Sequence, residues 1–92
     1  MNQRQEDIRD ALRRMYRLDF TFLETVKVNG LLGLKIEVFA IHGHQEAVKV
    51  YAWSYELEGE TKYHSVLHLP PLTCPTRAVW AVVLAEIRSL DA

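Results

Sequence analysis

Between Ala47 and Leu69 the chain reads AVKVYAWSYELEGETKYHSVLHL, and this stretch restricts the fold more than any other. Side chains alternate across a strand with a period of two, and a glycine in the second place of a two-residue loop supplies the positive φ that tight hairpins require. A turn at Glu58-Gly59 therefore predicts two long paired strands in a defined register. Tyr55 faces Lys62, Trp53 faces His64, Tyr51 faces Val66 and Lys49 faces His68, all on one surface of the sheet. The other surface carries Val48, Val50, Ala52, Ser54, Tyr63, Ser65, Leu67 and Leu69. Both surfaces are substantially apolar, and a chain of 92 residues has few elements with which to cover both. That mismatch points to an interaction surface rather than to a reaction.

Upstream, Asn2 and Gln5 have the spacing of a capping box, and Ile8, Ala11, Leu12, Met15 and Leu18 recur at three- and four-residue intervals. An amphipathic helix follows from this, its far side holding Arg9, Arg13, Arg14 and Arg17 among Glu6, Asp7 and Asp10. Such a face is usually solvated and self-paired, and the alternative is a phosphate-binding face. Phe20 to Val28 is rich in β-branched and aromatic residues and ends at Asn29-Gly30, a strong hairpin dipeptide. Its register stays open: a two-residue turn there sends Phe20 and Phe22 to the outer surface, whereas a bulge at Gly33 turns them inward. Leu34 to Ile41 alternates more cleanly, with Leu34, Ile36, Val38 and Ala40 assigned to the core. If Ala40 lies opposite Val48, then Lys35, Glu37, Phe39 and Ile41 join Tyr51, Trp53 and Tyr55 on the aromatic surface.

After Leu69 the chain breaks at Pro70-Pro71, and Thr73 or Cys74 caps a last helix whose first turn accepts Pro75. Ala78, Val79, Trp80, Ala81, Val82, Val83, Leu84, Ala85, Ile87 and Leu90 make it apolar on nearly every side, so it should lie on the sheet and also touch the first helix. The small residues Ala52, Ser54 and Ser65 would let it approach closely. The fold class is accordingly α+β, a two-layer sandwich of a four-stranded antiparallel meander with both terminal helices on one face, in the order α-β-β-β-β-α. That order is similar, in topology alone, to double-stranded-RNA-binding domains. The basic cluster such domains carry at the start of the last helix is replaced here by Pro75-Thr76-Arg77-Ala78.

One domain over 1–92 is expected from the length. The hydrophobic fraction of 49% and charged fraction of 25% are those of a chain that folds without a cofactor. The formal net charge of −1 supplies no overall pull toward nucleic acid or anionic membrane. The one cysteine, Cys74, excludes an internal disulfide, and with a charged N-terminus and no long apolar run the expectation is a soluble, cytoplasmic protein. Cys74 near a helix start has the setting of a lowered thiol pKa, without a base in the local sequence to make it a nucleophile.

His64 and His68 lie about 13 Å apart on one strand, too far to share an ion. A site from His42, His44, Glu46 and His68 is the remaining metal or enzymatic reading. Three functional expectations result. The first is a non-catalytic protein-interaction module, most simply a homodimer, whose aromatic sheet face comprises Lys35, Phe39, Ile41, Lys49, Tyr51, Trp53, Tyr55, Lys62, His64 and Val66. The second is single-stranded nucleic-acid binding by stacking on Tyr51, Trp53 and Tyr55. The third is a small enzyme or metal-binding protein using the loop histidines.

Overall fold

The computed structural model describes residues 1–28 and 34–90, with the side chains of 84–90 excepted. The Asn29-Gly30 turn and the alternative bulge at Gly33 lie outside the described residues, as do the side chains of Leu84, Ala85, Ile87 and Leu90. The element order is α1 (Gln3–Tyr16), β1 (Asp19–Lys27), β2 (Lys35–His42), β3 (Lys49–Leu57), β4 (Glu60–Leu67) and α2 (Pro75–Leu90). The strands form one antiparallel sheet in the order β1-β2-β3-β4. This is the α-β-β-β-β-α meander that the hydrophobic alternation predicts. None of the described helices is long and apolar enough to cross a membrane.

Local chemistry accounts for the element ends. The Asn2 side chain accepts from the Gln5 N–H at 2.9 Å while Gln5 accepts from the Asn2 N–H at 2.9 Å, which starts α1. Glu58 and Gly59, at φ 52 and 80, close the β3–β4 hairpin with two successive left-handed residues, the geometry that matches strand twist. The register is the predicted one, Tyr55 opposite Lys62 and Trp53 opposite His64. Leu72 N–H donates to Leu69 O across Pro70-Pro71, and Ala78 N–H donates to Cys74 O as α2 begins.

The β2–β3 register differs from the expected one by a single residue. Ala40 lies opposite Lys49 rather than Val48, and Val38 lies opposite Tyr51. A one-residue slip sends every side chain of a strand to the other face. Ile36 and Val38 therefore join Tyr51 and Trp53, while Phe39 and Ile41 join Val50 and Ala52. The connecting loop sets the offset. His44 Nδ1 accepts from the N–H groups of Glu46 and Ala47 at 3.0 and 2.9 Å, which turns the buried Ala47 into the core and delays β3 until Lys49.

The two helices consequently lie on opposite faces of the sheet, which corrects the expectation of a shared face. Helix α1 buries Ile8 and Leu12 against Phe20, Phe39, Ile41, Val50 and Ala52. Helix α2 buries Ala78 and Val79 against Val28, Ile36, Val38, Tyr51 and Trp53. Ser65, which sequence placed beneath α2, bonds the Tyr16 hydroxyl of α1 at 2.9 Å. The physical reason is the apolar character of both sheet faces: one helix on each removes more apolar area from water than two on one side. Strand β1 fits both layers because its pairing shifts between Phe22 and Glu24. Phe20 and Phe22 pack in the α1 cluster, and after the bulge Val26 and Val28 pack in the α2 cluster.

Glu37 faces α1 from the centre of β2 at 1% exposure. Its carboxylate accepts from Arg4 at 2.7 Å, from Thr25 at 2.5 Å and from Gln5 at 3.2 Å, so a buried charge is matched by three donors. Arg4 also reaches the Lys35 carbonyl at 2.9 Å. Breaking such a pair from one side leaves a buried charge unmatched, whereas replacing both members by apolar groups does not. Arg4→Met should lower unfolding free energy by about 2 kcal/mol, and Arg4→Met/Glu37→Met should be more stable than Arg4→Met in urea denaturation.

Trp53 is 4% exposed beneath α2 while Trp80, on α2 itself, is 39% exposed. A Trp80→Phe protein, emitting from Trp53 alone, should fluoresce to the blue of a Trp53→Phe protein that emits from Trp80. Equal emission maxima would contradict the placement of α2 over β3.

Candidate functional site

The residues that alternation assigned to one interaction surface divide between the two faces. Lys49, Tyr51, Trp53, Tyr55, Lys62, His64 and Val66 share the face under α2, in the cross-strand register expected of them. Lys35, Phe39 and Ile41 belong to the opposite face, and Phe39 and Ile41 are buried under α1. Nor is the aromatic face open, since Tyr51 is 3% and Trp53 4% exposed. Within one chain α2 thus covers Tyr51 and Trp53, while Tyr55 stays exposed at 37%. What remains at the surface is the outer end of the row. The His64 ring stacks between Trp53, at a centroid distance of 5.6 Å and 25°, and Tyr55, at 5.3 Å and 12°, with the Tyr55 hydroxyl 3.0 Å from Nε2.

The loop histidines have separate structural partners. His42 Nε2 lies 2.8 Å from the Thr21 hydroxyl, His44 organises its own loop, and His68 Nδ1 is hydrogen-bonded to the Tyr51 hydroxyl. Among the described residues no three His, Cys, Asp or Glu side chains converge on a point where they could hold a metal ion.

At the start of α2, Glu24, Val38, Lys49, Tyr51, His68, Thr73 and Pro75 line a pocket of about 190 Å³. Burial raises the Tyr51 phenol above its ordinary pKa, and the negative charges of Cys74 and Glu24 add to the effect. Cys74 itself is shifted the other way. The Arg77 N–H is the main cause, opposed by desolvation and reinforced by the Thr76 N–H and the Arg77 guanidinium. The helix start thus lowers the pKa of the Cys74 thiol, which is close enough to Tyr51 for its charge to act on the phenol, whose hydroxyl is bonded to His68. Sequence located Cys74 at the helix start but not beside Tyr51, because that proximity depends on which face α2 covers.

No protein-family model, curated protein or solved structure matches this chain.

Cys74 should react with iodoacetamide along a pH profile whose midpoint lies below the ordinary thiol value of about 8.5. Arg77→Ala should retain most of that depression, because the residue at position 77 still contributes its N–H; a midpoint returning to the free-thiol value would assign the effect to the guanidinium instead.

Proposed function

We propose that this protein is a non-catalytic interaction module that self-associates edge to edge through β4. The observation that carries this reading is the contrast between the two edges of the sheet. Strand β1 is interrupted by the irregularity between Phe22 and Glu24, a device that discourages pairing with a further strand. Strand β4 pairs with β3 without interruption from Glu60 to Leu67 and, among the described residues, has no strand on its other side.

Because His68 N–H donates to Lys49 O, His68 belongs to the set bonded to β3. Stepping by two along an antiparallel ladder puts Val66, His64, Lys62 and Glu60 in the same set and directs the N–H groups of Thr61, Tyr63, Ser65 and Leu67 outward. An unpaired row of this kind is a template for another strand. A second copy suits it by symmetry: antiparallel pairing of β4 with itself is generated by a two-fold axis. In the register centred on His64, Glu60 of one copy lies opposite His68 of the other, and Lys62 opposite Val66, so no cation faces Lys62. Strand pairing alone falls short of the roughly 1,000 Å² that a stable interface needs. The helix layer extends it, since Met15 is 49% exposed and its sulfur lies 3.8 Å from the Ser65 hydroxyl beside the edge.

Sedimentation equilibrium should give the mass of two 10.7 kDa chains for the wild type. Ser65→Pro removes an outward donor without touching the β3 ladder and should be monomeric, whereas Tyr16→Phe, which loses the same hydroxyl contact but leaves the edge intact, should stay dimeric. A wild type that remains monomeric to high micromolar concentration would refute the proposal.

A further inference from the structure

Where α1 ends and β2 ends, Arg13, Arg17, Leu18, Asp19 and His42 line an open pocket of about 350 Å³. The two guanidiniums come from positions one helical turn apart. Arg13 has a long contact of 3.9 Å to Asp10, with both side chains about half exposed, and Arg17 is in no ion pair among the described residues. Cations here are favoured by the partial negative charge of the helix C-terminus. The His42 ring is steadied at the rim by its bond to Thr21.

The backbone at Arg17 is a second, independent sign. Its N–H donates to Arg13 O at 2.8 Å and closes the helix at φ 57 and ψ 38, in the left-handed region. Helices commonly end this way with glycine, which has no Cβ to clash, and arginine is disfavoured there. A chain that keeps arginine at such a position holds a guanidinium over the pocket at the expense of backbone ease, the pattern of strain found at functional sites.

We propose that this pocket binds a small phosphomonoester, the phosphate held between the guanidiniums of Arg13 and Arg17 and a hydroxyl of the organic part donated to Asp19. Guanidinium forks match pairs of phosphate oxygens, and two of them suit a dianion. The Asp19 carboxylate accepts a hydroxyl hydrogen and repels a second phosphate, which selects a monoester of a small alcohol or sugar over a polyphosphate or a nucleic-acid backbone. Leu18 offers the organic part an apolar contact. The pocket lies away from the β4 edge, so this proposal and self-association stand or fall separately.

The test is a titration of the ¹⁵N-labelled full chain at low ionic strength with glycerol 3-phosphate, and with phosphatidylcholine vesicles containing a minor share of phosphatidic acid. Saturable shifts at residues 17–19 and 42–43 with the soluble ester identify a free ligand, and binding to the vesicles alone identifies a lipid headgroup of the same chemistry. Arg17→Gly should weaken binding at least about tenfold, as expected for losing one charge-assisted contact, while raising the melting temperature. Arg13→Gln should weaken binding without that gain. The proposal is overturned if neither ligand gives saturable shifts at those positions, if sodium sulfate at equal ionic strength reproduces them, or if Arg17→Gly binds as the wild type does.

Discussion

A sheet whose strands are apolar on both sides cannot be stable against water with one covered face, and most of this molecule follows from that constraint. Each of β2 and β3 contributes buried side chains alternately upward and downward: Ile36 and Val38 against Phe39 and Ile41, Tyr51 and Trp53 against Val50 and Ala52. Two helices are available, and each covers one face. Fully burying a side chain the size of Phe39 or Ile36 is worth roughly 1.5–3 kcal/mol, so leaving either cluster uncovered would forfeit a sum comparable to the whole stability of a small domain. The arrangement is a three-layer one in which the sheet is the shared core wall.

Charge placement is subordinate to that layering and gives it specificity. Apolar burial is non-directional and would let α1 slide or rotate over its cluster. The Glu37 carboxylate does not allow this, because Arg4, Gln5 and Thr25 can reach it together in one placement of α1. The far end of the helix is held more loosely, through Tyr16 to Ser65 and to the Phe20 ring at 5.9 Å.

The parts that could be read from sequence were those determined by residues close together in the chain. The Asn2/Gln5 capping box and the Glu58-Gly59 turn are local chemistry, and each appears in the structure as its residues predict. The β2–β3 register was not readable in this way. Its loop contains no two-residue turn signature, and the offset depends on His44 Nδ1 taking two backbone amides and on Ala47 being core rather than strand. That one-residue offset decides which face Phe39 and Ile41 occupy, which side of the sheet each helix covers, and that Tyr51 and Trp53 are buried. Glu37 carried a signal that was available, since an acidic residue between Ile36 and Val38 in a central strand needs a buried partner. Arg17 carried none, because a left-handed helix end occupied by arginine has no sequence mark.

The position of α2 after the last strand has a consequence for synthesis. A chain emerging from the ribosome N-terminus first can dock α1 and complete all four strands before residues 75–83 are available. Until then the surface containing Ile36, Val38, Tyr51 and Trp53 faces water as a broad aromatic patch on a finished sheet, next to an open strand edge. Nascent domains in that condition are the ones that aggregate or recruit chaperones. Between the pairing of β4 and the docking of α2, the chain therefore passes through a stage in which that aromatic patch and the open strand edge are exposed together, the condition under which contact with its own copies favours aggregation.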